Sequence, residues 1–166
     1  MAQWAADRAM FNEESDRACE GDRDAFLHLR VWGEGAGEPT AAVALAWVLA
    51  TEECEFYSGD EQAAFALNAK AAKMGYPVAL SNTGMRLIEG LGTPPDPELG
   101  VGLTLMAIQG GYGKAAAFLA MKFADGTEVP QDLAFARQLL LKADSMDTDE
   151  ALMTRAWGTY HRINND

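Results

Sequence analysis

The stretch Tyr76–Gly111, YPVALSNTGMRLIEGLGTPPDPELGVGLTLMAIQGG, is followed without a gap by Tyr112–Asp147, YGKAAAFLAMKFADGTEVPQDLAFARQLLLKADSMD. Laid over each other at an offset of 36 residues, the two halves agree along their whole length. Ala79 meets Ala115, Gly84 meets Ala120, Met85 meets Met121, and Leu87 meets Phe123. Gly90 meets Gly126, Pro94 meets Pro130, Asp96 meets Asp132, Leu103 meets Leu139, and Ala107 meets Ala143. A period of this length marks a stacked repeat, in which no unit buries its apolar face alone.

The step extends in both directions. Forward, Ala115, Ala120 and Met121 lead to Ala151, Ala156 and Trp157. Backward, with two extra residues, Ala79, Gly84, Met85 and Leu87 lead to Ala41, Ala46, Trp47 and Leu49. Ala64, Leu67, Ala71 and Gly75 lie 36 residues before Gly100, Leu103, Ala107 and Gly111. Residues 1–37 follow the pattern more loosely, with Ala25 and His28 as counterparts of Ala64 and Leu67. The predicted organisation is one helical-repeat domain over 1–166, with units 1–37, 38–75, 76–111 and 112–147 and a closing half repeat at 148–163.

Each unit reads as two helices. Ala79, Thr83, Gly84 and Leu87 share one helical face. The segment Gly90-Leu91-Gly92-Thr93-Pro94-Pro95 cannot continue a helix. Asp96 then caps the next one, with Pro97 at its first position. The predicted helices are 4–19, 23–33, 39–56, 60–74, 77–90, 96–109, 112–125, 131–144 and 148–162, and nothing alternates as a strand does. The fold class is therefore all-α, a superhelical solenoid of about four helical hairpins and a closing helix. Small residues recur on two rungs: Ala41, Ala79, Ala115 and Ala151, then Ala46, Gly84, Ala120 and Ala156. Small contact residues let antiparallel helices approach to the short end of the usual spacing.

The order of alanine, a small residue five later, a glycine turn, Pro-x-Asp, Leu-x-x-x-Ala and Gly-Gly resembles the Sel-one-like repeat, a relative of the tetratricopeptide repeat. Units 76–111 and 112–147 carry the likeness best, and 38–75 and 148–163 carry it in part. The turn departs from the family's Gly-x-Gly-Val, reading Gly90-Leu91-Gly92 and then Gly126-Thr127-Glu128-Val129. Leu87 and Phe123 stand where the family's first-helix aromatic is expected. The resemblance implies a right-handed solenoid that scaffolds other proteins. The cysteine pair that some secreted members carry in every repeat is missing.

The net charge is −12, and 14 of the 25 acidic residues but only 4 of the 13 basic ones fall by Glu61. Such a chain repels nucleic acid and anionic membrane surfaces at its first third, and would guide a basic partner there. No apolar run reaches membrane-spanning length, so no membrane insertion is expected. The N-terminus lacks a basic segment followed by an apolar core, which favours a cytoplasmic location; a mature form whose leader had been removed would read the same and be periplasmic. Cys19 and Cys54 stand far apart with no metal-like spacing, and two free thiols are the favoured reading. A disulfide requires their helices to be neighbours.

Candidate chemistry is sparse. His28 and His161 lack ligand or catalytic partners on their own helix faces. The glycine runs at 33–37 and 110–113 read as inter-helix turns, because no strand precedes them and no Gly-Lys-Ser/Thr follows. Glu52, Glu53, Glu55, Asp60 and Glu61 lack the spacing of a calcium loop. No metal, cofactor or catalytic set is expected.

One register suits binding instead. Trp47, Met85, Met121 and Trp157 occupy equivalent positions one residue past a small rung, and Arg86 and Lys122 flank them. With Phe118, these form the candidate partner-binding set, either as core packing or as an exposed stripe on the concave face. The expected function is non-catalytic protein binding, as a bacterial immunity protein or an adaptor for a toxin or secreted effector. A signalling or envelope scaffold and a hydrolase of cell-wall fragments are the alternatives.

Overall fold

A computed structural model describes residues 5–54, 56–57, 59–146 and 148–164. Among these the regular elements are all helical: α1 Ala5–Cys19, α2 Arg23–Arg30, α3 Pro39–Ala50, α4 Glu61–Lys73, α5 Pro77–Glu89, α6 Pro97–Gln109, α7 Gly113–Asp125, α8 Leu133–Asp144 and α9 Glu150–Asn164. Helices α3 and α4, α5 and α6, and α7 and α8 pack as hairpins. The first helices also touch one another in order, α1 on α3, α3 on α5, α5 on α7 and α7 on α9.

The ends of these helices follow from their residues. Asp22, Asp60, Asp96 and Asp132 each accept backbone N–H groups with a side-chain oxygen, and so cap α2, α4, α6 and α8. Gly90 and Gly126, 36 residues apart, both adopt φ of +73° and close α5 and α7 through N–H bonds to Arg86 and Lys122 carbonyls. The turn geometry repeats with the sequence.

The seam is made of small residues. Across α5 and α6 Gly84 packs on Gly100, and Ala46 and Ala64, and Ala120 and Ala136, hold the equivalent positions in the neighbouring repeats. Each of these six is buried. The α5–α6 pair is the tightest, since a Cβ on Gly100 would lie 2.5 Å from the Gly84 carbonyl oxygen. Rung residues Ala41, Ala79 and Ala115 are fully buried, while Ala151 is exposed. Phe11, Leu29, Leu45, Ile88, Leu119 and Leu140 fill the core, each worth about 2–3 kcal/mol on burial.

Three local differences from the sequence reading have physical causes. The third helix stops at Ala50, not near residue 56, because Gly59 and Asp60 fold back to donate N–H bonds to the Leu49 carbonyl at 2.8 and 3.1 Å. After Arg30 the chain does not turn at Gly33 or Gly35 but only at Gly37, which closes the segment at φ +72°. It winds on as a wider π-helical segment, Val31–Ala36, and Gly33 lies against the backbone of Ala41 and Ala42 where a side chain would clash. Finally, Cys19 and Cys54 are joined in a disulfide, contrary to the favoured free thiols. Helix α1 packs on α3, so its last residue reaches the loop that follows α3. Tyr57 of that loop stacks on Phe26 of α2, with centroids 3.8 Å apart. Cross-linking residues 35 apart removes about 4 kcal/mol of chain entropy from the unfolded state.

Candidate partner-binding groove

In each first helix the small rung faces the hairpin partner, and the next residue turns about 100° away from it. That rotation carries Trp47, Met85 and Met121 to the open side of the layer formed by α3, α5, α7 and α9. There they line a cavity of about 720 Å³, together with Phe118, Arg86 and Lys122. Trp47 is the most open of the four apolar residues at 44 % exposure. Met85, Phe118 and Met121 are half-buried, and the two methionines also pack against the core. Trp157 lies outside this lining. It packs against the core, meets Tyr160 edge-on and stacks on His161 at 5.5 Å. Its helix contributes Arg155, Thr159 and Arg162 to the cavity instead.

A second cavity of about 610 Å³ adjoins the first, and Trp47 and Asn82 line both. The Asn82 amide donates to Asn68 at 3.1 Å, and the Asn68 amide donates to the Ala64 carbonyl at 2.9 Å, so this central polar point is held from beneath. Arg8 and Asn12 of α1 form one wall, and the repeat-equivalent Tyr76 and Tyr112 form another. Burial pushes the Tyr76 phenol up to about 12 and raises that of Tyr112, the nearby Arg8 charge opposing the rise in both. Both phenols stay protonated at neutral pH, Tyr76 buried and Tyr112 half-buried.

The groove's cations differ in availability. Arg86 and Lys122 occupy equivalent positions, and each ties its repeat to the preceding one: Arg86 pairs with Glu61 of α4, and Lys122 pairs with Glu89 of α5 at 2.7 Å. Lys122 also reaches Glu128 at 2.8 Å. Burial alone would lower the Lys122 ammonium, but hydrogen bonds and charge from Glu128 and Glu89 outweigh it, and the net shift is upward. The same bond from Lys122 leads the depression of the Glu128 carboxyl. Arg155 and Arg162, both exposed, have no acidic partner among the described residues. In a chain of net charge −12, two unpaired guanidiniums on one wall make that end of the groove receptive to an anionic group.

His28 does find an acidic partner, on a different helix. Its Nδ1 lies 2.7 and 2.8 Å from the Glu14 carboxylate oxygens, while Trp32 Nε1 donates to its Nε2 at 2.8 Å. The indole therefore fixes the proton on Nδ1 and occupies the nitrogen a general base would use. The arrangement holds α1 to the end of α2. Glu52, Glu53, Asp60 and Glu61 sit in or beside the loop after α3, and Glu55 lies outside the described residues. No group of three His, Cys, Asp or Glu among the described residues is placed to hold a metal ion. Nor is any helix among them long and apolar enough to cross a membrane.

A solved structure is similar over most of this arrangement: a Sel1 repeat protein from Oxalobacter formigenes, with a TM-score of 0.63 and 22 % sequence identity. The fold is that of a Sel1 repeat protein. The match covers 74 % of this chain and 34 % of the other, so the chain spans about a third of the length of that structure. No protein-family model and no curated protein matches the sequence. The shared fold accounts for the stacked hairpins.

Trp47, Met85, Arg86, Met121 and Lys122, which share repeat registers, line one cavity with Phe118. The repeat register did not point to Arg155, Thr159 and Arg162. Their spacing of four and then three residues on α9 was a usable signal, since it puts all three on one helix face.

Proposed function

We propose that this chain is a protein-binding module that holds a segment of its partner along the groove of α3, α5, α7 and α9. The observation that carries the reading is the convergence of Trp47, Met85, Phe118 and Met121 in one cavity, with the unpaired Arg155 and Arg162 at its α9 side. Apolar and aromatic anchors beside arginine are the make-up of interface centres. The partner segment should offer apolar side chains for the floor and an acidic group for the arginines.

Within this class, the reading we favour is a bacterial immunity protein or an adaptor that grips a toxin or secreted effector. The concentration of acidic residues before Glu61 supports guidance of a partner that is basic elsewhere on its surface. The Cys19–Cys54 bond supports an oxidising compartment, such as the periplasm, over the cytoplasm.

The test is affinity capture from the native cell with three forms: unchanged, Met121→Asp/Phe118→Asp, and Arg155→Glu/Arg162→Glu. The unchanged chain should recover one partner at a fixed ratio, and both double variants should lose at least tenfold in affinity while keeping their helical circular dichroism. Retention of the partner by both variants would overturn the groove as its site. A toxin or effector as the partner supports the narrower role, and any other identity removes it.

A further inference from the structure

Helix α1 supplies Arg8, Asn12, Ser15 and Asp16 to the second cavity, yet little of it is embedded in the stack. From Arg8 to Cys19 only Phe11, Ser15 and Ala18 are buried, whereas α3, α5 and α7 each bury seven or more residues. Hydrophobic docking scales with the apolar area removed from water, so α1 is held weakly by packing alone. Its ion pairs run only to α2 and the turn before it. Arg17, whose side chain is 53 % exposed, pairs with Asp22, and Glu14 meets His28. Exposed pairs of this kind contribute little.

The loop after α3 secures the end of α1 instead. Cys54 is bonded to Cys19, and Tyr57 stacks on Phe26 of α2. Between them, Phe56 covers Gly21, where a Cβ would lie 2.9 Å from its ring. Gly21 joins α1 to α2 at φ of +98°, a conformation in which glycine is free to hinge. One short stretch of loop thus holds both the bond and the hinge. At the other end of the stack, α9 also buries only Met153, Ala156 and Tyr160, but the chain has no other cysteines to tie it.

We propose that the Cys19–Cys54 bond is a redox latch that keeps α1 seated on α3 and so closes one side of the second cavity. Cys54 is fully buried and Cys19 half-buried, so the Cys19 sulfur is the one a reductant reaches. A thiolate of a dithiol reductant attacks it, the S–S bond breaks, and Cys54 leaves as a thiolate that takes up a proton. The second thiol of the reductant then displaces Cys19 as its thiol, and the reductant departs as a disulfide. In the reduced chain α1 lifts from α3 about Gly21, and Arg8, Asn12 and Asp16 leave the cavity wall. The groove is complete in oxidising surroundings and open at its α1 side in reducing ones, whatever its occupant.

Hydrogen–deuterium exchange of the full chain, resolved by mass spectrometry at short labelling times, tests this. The oxidised chain, the chain in dithiothreitol and Cys19→Ser/Cys54→Ser are compared. Reduction and the double substitution should each speed exchange in α1 by at least about thirtyfold. Helices α5 and α7 should stay protected over the same times, and α9 should exchange alike in all three forms. Glu14→Gln in the oxidised chain should change α1 by less than about fivefold. Full protection of α1 after complete reduction, verified by titration of both thiols, overturns the proposal. So does loss of protection in α5 and α7 along with α1, which makes the bond a general staple. An effect of Glu14→Gln equal to that of reduction also overturns it, by placing the latch at His28.

Discussion

Replacing Gly84 with alanine adds one carbon, and its effect measures how closely the helices of a repeat approach. In an open helix position the change would stabilise by about 0.5–1 kcal/mol, through the entropy that glycine loses on folding. At Gly84 the new Cβ would lie 2.6 Å from the Gly100 carbonyl oxygen, 2.3 Å from Thr104 Oγ1 and 3.1 Å from the Thr104 nitrogen. The Thr104 side chain cannot turn away freely. It is fully buried, and its hydroxyl donates to the Gly100 carbonyl at 2.8 Å. The backbones must separate, at an overpacking cost of about 1–3 kcal/mol, with about 1 kcal/mol more if the Thr104 bond breaks. The net loss is about 1–3 kcal/mol, which at this chain length lowers Tm by about 3–10 °C. Gly102→Ala is the internal control, because its Cβ meets nothing; measured in dilute solution it should raise Tm by about 1–4 °C. Thermal unfolding followed by far-ultraviolet circular dichroism, with the disulfide intact, reads both. Gly84→Ala melting at or above the unchanged chain would refute a seam that depends on helix contact through glycine.

Other outcomes follow from single features. Cys19→Ser/Cys54→Ser should lose about 4 kcal/mol and melt about 8–15 °C lower, and the unreduced chain should show no titratable thiol with Ellman's reagent. Thr83 Oγ1 is buried and makes no hydrogen bond, so Thr83→Val should stabilise by about 1 kcal/mol in chemical unfolding. The Lys122 bridge has a defined pH window. Glu128 sits below its ordinary 4.5, so its contribution is present above pH 4.5 and fades as pH falls through the folded value; Lys122 sits above 10.5, so its contribution fades as pH rises through that higher value. Lys122→Met should therefore lower Tm most between about pH 5 and 10, and the gap should close in acid.

How far the sequence could be read depended on what each feature repeats. Ala79 and Ala115, or Gly90 and Gly126, sit in one register because each hairpin solves one packing problem, so periodicity revealed the stack and its turns. The position after each small rung was legible for the same reason, and it led to Trp47, Met85 and Met121. Trp157 shares the register but lies outside the groove lining and packs against the core. Features without a repeat were hidden. The partner of Cys19 depends on how the loop after Ala50 folds back on the Leu49 carbonyl. The freedom of Arg155 and Arg162 depends on which acidic groups the fold leaves out of reach. The Gly33–Gly37 run reads as a stop; the stop falls at Gly37, while Gly33 lies against α3 within a π segment that runs to Ala36.

The central functional claim is that the groove, and not the outer helices, holds another protein. A photo-reactive amino acid placed at Met121, and in a separate variant at Lys142 on the outer surface of α8, tests it inside the native cell. The account predicts one discrete protein adduct from position 121, lost when Arg155→Glu/Arg162→Glu is added, and none from position 142. Equal adducts from both positions, or an adduct at 121 that ignores the arginine changes, would contradict it.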